Sequence, residues 1–156
     1  MKKVYFILIA FFMLKLQSFA TTWVQVGKSD YIDKDSVKYY VNDRGEVQFE
    51  KKTCWMKAFN DGSDYFKQIQ DGLDKKISYV ISQRIVDTNK KAITTKSIIY
   101  YDEQKNSIFS HTSGDYELTW SPVVPNSNGE LWFELIKKPR YLKKMYKYQL
   151  EQQNNK

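Results

Sequence analysis

Hydrophobic and polar residues alternate along the middle of this chain in short runs, each closed by residues that favour turns. Residues 22–26 place Trp23, Val24 and Val26 in one run that Gly27 ends. Residues 37–41 and 46–59 flank Asn42-Asp43-Arg44-Gly45, a hairpin signal because Asn, Asp and Gly tolerate positive φ. In the second of these runs Val47, Phe49, Trp55 and Phe59 share one parity, interrupted by Lys51. Residues 77–87 set Ile77, Tyr79, Ile81 and Ile85 against Ser78, Ser82 and Arg84. Asn89-Lys90-Lys91 then turns the chain into 92–101, and the polar stretch 102–106 leads into 107–112. Connections this short join antiparallel neighbours, since parallel pairs need long crossovers. The pattern predicts an antiparallel sheet of about six strands.

Two segments depart from strand periodicity. Residues 64–76 carry Tyr65, Phe66, Ile69 and Leu73 near helical spacing, but Asp71-Gly72 breaks it, so a loop with one helical turn is expected. Ser127-Asn128-Gly129-Glu130 fits a capping box, in which the Ser hydroxyl and the Glu carboxylate each satisfy an orphan backbone N–H. Leu131, Trp132, Leu135 and Ile136 follow as one apolar stripe, and Pro139 ends the helix. A sheet with one apolar face needs a cover, and this helix supplies it. The expected class is α+β: a small antiparallel sheet packed against one C-terminal helix, followed by a basic helical tail.

Several strings then carry a resemblance. Trp23-Val24-x-Val26-Gly27, Tyr31-Ile32-Asp33-x-x-Ser36-Val37, the strand pair around Asp87 and Tyr100-Tyr101, and Trp120-Ser121-Pro122-Val123-Val124-Pro125-x-Ser127-x-Gly129-Glu130 occur in this order. Together they resemble the surface-adhesin protein E-like family of Gram-negative bacteria, over residues 23–136. The resemblance implies an antiparallel sheet packed on a helix. For that family's best-known member it further implies a surface adhesin that binds vitronectin, laminin and plasminogen. Two departures stand out. That adhesin is a lipoprotein, whereas no cysteine stands immediately after residue 20 here, where Thr21 is found, and Thr88 stands where relatives often carry a cysteine. On the residues alone, Asp33, Asp35 and Ser36 suit a turn that bonds nearby N–H groups better than half a metal site. Trp120, Pro122 and Pro125 either close the start of the helix, with the indole in the core, or form a partner surface anchored by an aromatic.

The ends of the chain supply its location and its charge. Lys2 and Lys3 precede the apolar run 6–14, and Ser18 and Ala20 stand at the −3 and −1 positions of a cleavage site. Residues 1–20 therefore read as a secretory signal, too short to span a bilayer before Lys15. Residues 21–136 form the domain and residues 137–156 the tail. An exported protein, periplasmic or on the outer surface and not lipid-anchored, is expected. Cys54 is then the lone cysteine in an oxidising compartment, and burial as a small hydrophobe suits it better than pairing between chains.

The whole chain has 25 basic and 18 acidic residues, a net charge of +7. Three of the basic residues lie in the signal, and residues 137–156 carry seven basic residues against one acidic. The domain between is left at −2, so no nucleic-acid partner is expected. In the tail Arg140, Lys143, Lys144 and Lys147 share one helical face. That face suits an anionic membrane or a protein partner; equally, the apolar side docks on the domain and the charges are merely solvated. His111 lacks a role-complete set of catalytic partners in the sequence, and no Gly-rich phosphate loop occurs. The expected protein is a non-enzymatic binding module without cofactor or metal. A free sheet edge would also let two copies pair as a homodimer.

Overall fold

The computed structural model describes residues 22–155, and the expected signal 1–20 lies outside them. Eight strands form one antiparallel sheet: β1 (Trp23–Gln25), β2 (Asp30–Asp33), β3 (Lys38–Val41), β4 (Val47–Phe59), β5 (Tyr79–Asp87), β6 (Ala92–Tyr101), β7 (Ser107–Thr112) and β8 (Ser121–Pro122). Among the described residues three α-helices accompany it: α1 (Asp64–Gln70), α2 (Asn128–Lys137) and α3 (Arg140–Asn154). The spatial order is β1-β2-β4-β5-β6-β7, with β3 also on β4 and β8 also on β6. The class is α+β as expected, with two more strands and one more helix than the sequence pattern predicts.

The extra strands come from the length of β4 and β6. With 13 residues, β4 pairs with β3 over its first part and with β2 over its second. At the changeover the Trp55 N–H donates to Ser36 Oγ (2.8 Å), and Ser36 Oγ donates to the Asp33 carbonyl (2.7 Å). The Asp35 N–H donates to Asp33 Oδ1 (3.1 Å). The expected turn at Asp33–Ser36 is therefore present and serves the strand exchange, while Tyr31 and Ile32 ahead of it belong to β2. The β3–β4 hairpin is closed as its residues demand: Gly45 has φ +82°, and Asn42 N–H bonds the Glu46 carbonyl at 3.0 Å.

Helix α1 corrects the reading of 64–76 as a loop with one helical turn. Phe66 is buried with Ile77, Val80 and Tyr100, and Ile69 and Leu73 pack beside them. That contact stabilises a second turn, which ends where Asp71-Gly72 was expected to break it. In α2 the Ser127 hydroxyl accepts from Glu130 N–H (3.3 Å), but the Glu130 carboxylate accepts from Asn126 N–H (2.8 Å) rather than from Ser127. The box has slipped by one residue because Asn126, at φ +58°, turns its N–H toward the helix.

All three helices bury apolar residues against one face of the sheet. Ile32, Cys54, Met56 and Val86 meet Phe133, Leu135 and Ile136 of α2 and Leu142 of α3. In β4 the helices cover the side of Cys54, Met56 and Ala58, not the side of Phe49, Trp55 and Phe59, because the stretch 54–58 carries charge only on its odd side, at Lys57. In α2, Leu131 is 43% exposed while Phe133 is 1% exposed, so the stripe is rotated toward Phe133.

Cys54 is 1% exposed, and burial pushes its thiol up to about 12. A water-soluble maleimide should leave native protein unlabelled and modify it once it is unfolded in denaturant. Rapid labelling of the native protein would contradict this packing.

On the opposite face of the sheet one end is closed by a polar clamp. Lys96, at the bulged stretch of β6, bonds Asp43 of the β3–β4 turn (2.7 Å) and Asp115 of the short 3₁₀ turn Asp115–Glu117 (2.8 Å). Tyr40 donates its hydroxyl to Asp115, and Asp43 and Asp115 each accept the other's backbone N–H. Thr94 adds a hydroxyl bond to the Thr119 carbonyl (2.7 Å). The other end of this face has no helix packed on it among the described residues.

Candidate functional site

The open end of the sheet carries a cross-strand stripe of aromatic rings. Antiparallel register sets Phe59, the last residue of β4, opposite Tyr79, the first of β5, and Tyr79 opposite Tyr101, the last of β6. Tyr31 of β2 lies opposite Lys57 and meets the Phe59 ring edge-on at 5.6 Å. Phe59 and Tyr79 are 5.8 Å apart, and Tyr79 and Tyr101 stack at 4.7 Å, nearly parallel. With strands about 4.8 Å apart, the stripe spans roughly 14 Å across four strands.

One cation is set into the stripe. The Lys57 ammonium lies 4.6 Å from the Trp23 ring centroid, 5.3 Å from Phe59 and 5.8 Å from Tyr31. Burial lowers its pKa, and the charge of Lys105 adds to the effect. Burial and the neighbouring Tyr101 raise Tyr79. Phe59 is 41% exposed, and Trp23, Tyr31, Tyr79 and Tyr101 are half-buried. Ring-to-ring packing fixes these side chains before any partner arrives, so little conformational entropy remains to be lost on binding. Rigid aromatics beside a cation suit the apolar and aromatic anchors of a protein partner. The stripe escaped the sequence reading, although its signal was there: consecutive long antiparallel strands must bring the end of one beside the start of the next.

The basic residues singled out in the tail lie on one helix. Arg140, Lys143, Lys144 and Lys147 are all exposed on α3. The opposite side of α3 docks on the domain: Leu142 is fully buried, and Met145 and Tyr146 pack against the main core. Lys34 lies 4.9 Å over the Tyr146 ring. Gln149 caps the edge strand β1, accepting from Gln25 N–H (3.3 Å) and donating to the Gln25 carbonyl (2.8 Å). One sheet edge is thereby covered by a side-chain amide.

Trp120 is half-buried with the Lys51 ammonium 5.8 Å over its ring, and Pro122 and Pro125 are exposed. The core residue of this string is Val123, 8% exposed, rather than Trp120. Two residues of β8 pair with the start of β6, and Val123 N–H bonds the Lys91 carbonyl at 3.0 Å. That short pairing holds the strand start of β6 and leaves the indole at the rim. No hydrogen bond, ion pair or ring contact joins these residues to the basic face of α3 among the described residues.

His111 is exposed on β7, with Ser113 Oγ at 3.2 Å from Nε2. Among the described residues no group of three or more His, Cys, Asp or Glu is placed to hold a metal ion.

No family model matches the chain, and no curated protein does. Solved structures do. Crystal form II of Haemophilus influenzae protein E superposes with a TM-score of 0.50 at 13% identity, over 76% of this chain and 89% of that one. Protein E from non-typeable Haemophilus influenzae gives 0.48 at 9% identity, over 85% and 92%. The likeness is one of fold.

Proposed function

We propose that this chain is an exported, non-enzymatic binding module of adhesin type, which takes host matrix or serum proteins on the open face of its sheet. Vitronectin, laminin and plasminogen are the partners suggested by resemblance to the protein E-like family. The observation that carries the reading is the aromatic stripe with Lys57 embedded in it, on a sheet face to which no helix is packed. The fold shared with Haemophilus influenzae protein E and the leader pattern of residues 1–20 support it. Retention on immobilised vitronectin, laminin and plasminogen at physiological salt tests it. The expected result is saturable retention on at least one of the three; failure on all three would sink the adhesin reading.

A second reading is favoured by the four exposed cations on α3: a periplasmic protein held against anionic membrane. Among the described residues no helix is long and apolar enough to cross a membrane. Each lysine near an anionic surface adds about 1 kcal/mol, screened beyond a Debye length. Co-sedimentation with vesicles containing phosphatidylglycerol should weaken by more than about tenfold in a Lys143→Gln, Lys144→Gln, Lys147→Gln variant if this reading holds. Equal sedimentation of the variant removes the tail from membrane binding. Substitution is preferable to truncation after Ile136, because truncation also removes the buried Leu142.

A further inference from the structure

The helix-covered face of the sheet contains a pocket of about 440 Å³, bordered by Lys57 and Phe59 of the aromatic stripe. It lies between α1 and α2, floored by β4 and β5 and walled by Tyr65, Phe66 and Trp132. A volume of this size matches small-molecule sites rather than packing defects.

Four charged residues line it, Asp30, Lys57, Asp61 and Arg84. The Lys57 ammonium lies over the Trp23 ring and Asp61 is bonded to Ser29 and Ser63, whereas neither Arg84 nor Asp30 has an ion-pair partner among the described residues. Arg84 rises from β5 into the floor, where Nε bonds Ser82 Oγ (3.2 Å) and one terminal nitrogen bonds Thr95 Oγ1. Both partners are neutral hydroxyls, and no carboxylate forms an ion pair with this guanidinium among the described residues. Its central carbon lies 6.0 Å from the centroid of the Trp132 ring. Asp30, at the start of β2, lines the same pocket. Its carboxylate accepts no hydrogen bond and makes no ion pair among the described residues. Burial raises its pKa, the charge of Asp61 adds to this, and Arg84 opposes it. The Asp30 carboxylate rests on the bare backbone of Gly27, where an added Cβ would come within 2.9 Å of Oδ2.

A half-buried arginine and a half-buried aspartate that share a pocket without meeting leave two desolvated charges uncompensated. Two charges of the opposite order, carried on one small molecule, compensate both. The Arg84 fork matches a carboxylate bidentately, and Asp30, with Asp61 also on the pocket wall, matches an ammonium. A phosphate dianion suits the pocket poorly, since both aspartates would repel it. The apolar walls take a hydrocarbon or aromatic body.

We infer that this pocket binds a zwitterionic ligand of amino-acid to dipeptide size, with its carboxylate on Arg84, its ammonium toward Asp30 and its apolar side chain against Trp132 and Tyr65. The pocket shares Lys57 and Phe59 with the border of the aromatic stripe, but the contacts inferred here are to Arg84, Asp30, Trp132 and Tyr65, so a failure of either reading leaves the other standing.

Isothermal titration of the purified protein with the dipeptide Leu-Phe tests it, together with Leu-Phe amide, N-acetyl-Leu-Phe and inorganic phosphate as comparison ligands. The expected result is saturable binding of Leu-Phe, weakened at least about tenfold by amidation, which removes the carboxylate's charge, and at least about threefold by acetylation. Phosphate should not compete. Arg84→Gln should abolish the distinction between Leu-Phe and its amide. Because the ligand-side changes are read on unaltered protein, the test stands even if the Arg84 variant fails to fold. Absence of saturable Leu-Phe binding, equal binding of the acetylated or amidated forms, or displacement by phosphate would each overturn the inference.

Discussion

Replacing Lys96 by Met should lower the unfolding free energy by about 3 kcal/mol, the low end of what breaking a buried ion pair costs. The Lys96 side chain is 9% exposed and is the cation between Asp43 and Asp115. Without it the two carboxylates, already joined through each other's backbone N–H groups, face one another with no counter-charge. Asp43 is about half-exposed, which lets water take up part of the loss and keeps the cost from the upper end of the range. Neutralising the carboxylates as well, with Asp43→Asn and Asp115→Asn, should recover a large part of the deficit, because the penalty lies in the unpaired charge rather than in the missing bond. Urea unfolding of the parent, the Lys96→Met protein and the triple variant measures this directly; a Lys96→Met loss below about 1 kcal/mol would show the clamp to be ornamental.

The same clamp gives stability a defined dependence on acid. Burial works to raise the Asp115 carboxyl, but hydrogen bonds from Lys96 and Tyr40 outweigh it and hold the group at about 2. Burial, with the bond to Asp115 adding to it, pushes the Tyr40 hydroxyl up to about 12. A carboxyl whose folded pKa lies below its unfolded value contributes stability that is complete above about pH 4 and is lost as the pH falls toward 2. Up to about 2 kcal/mol is at stake at Asp115, and a Lys96→Met protein should show a correspondingly flatter acid limb.

Leu142→Ala should cost about 3 kcal/mol, within the usual range for a fully buried leucine cut back to alanine. Leu142 is 0% exposed and belongs to the same core as Val24, Phe133 and Ile136, although it stands in the most basic stretch of the chain. The exposed lysines of the same helix should behave oppositely: Lys143→Gln, Lys144→Gln and Lys147→Gln together should move stability by less than about 0.5 kcal/mol each. Thermal unfolding of both variants separates a docked helix from an independent tail. A Leu142→Ala protein as stable as the parent would mean that α3 does not hold on the domain.

These two sites differ in how far they could be read in advance. The tail was open to two interpretations in the sequence because its helical wheel has both a basic side and an apolar side. What decides between them is Gln25 on an edge strand more than a hundred residues away, whose backbone needs the Gln149 amide, and no local pattern encodes that. The strands 77–87, 92–101 and 107–112 were legible because turns of four or five residues leave only antiparallel pairing. The side of β4 that faces the helices was not, since shared parity does not say which side is covered; Cys54 and Met56 supply it. Phe133 was missed for a related reason: a one-residue rotation of an amphipathic helix exchanges Leu131 for Phe133 without changing the periodicity. The Lys96 clamp and the Arg84 pocket draw on residues far apart in sequence, and register alone brings them together.

The most direct test of the open face as the binding surface is an equilibrium titration on whichever immobilised host protein retains the chain. It compares the parent, Phe59→Ser with Tyr79→Ser, and the three-lysine variant of α3, each first shown to be folded by circular dichroism. At least about tenfold weaker binding is expected for the stripe variant, because aromatic anchors are removed. Less than about threefold change is expected for the tail variant. Parent-like affinity in the stripe variant, with binding lost only in the tail variant, would contradict the open face as the binding surface.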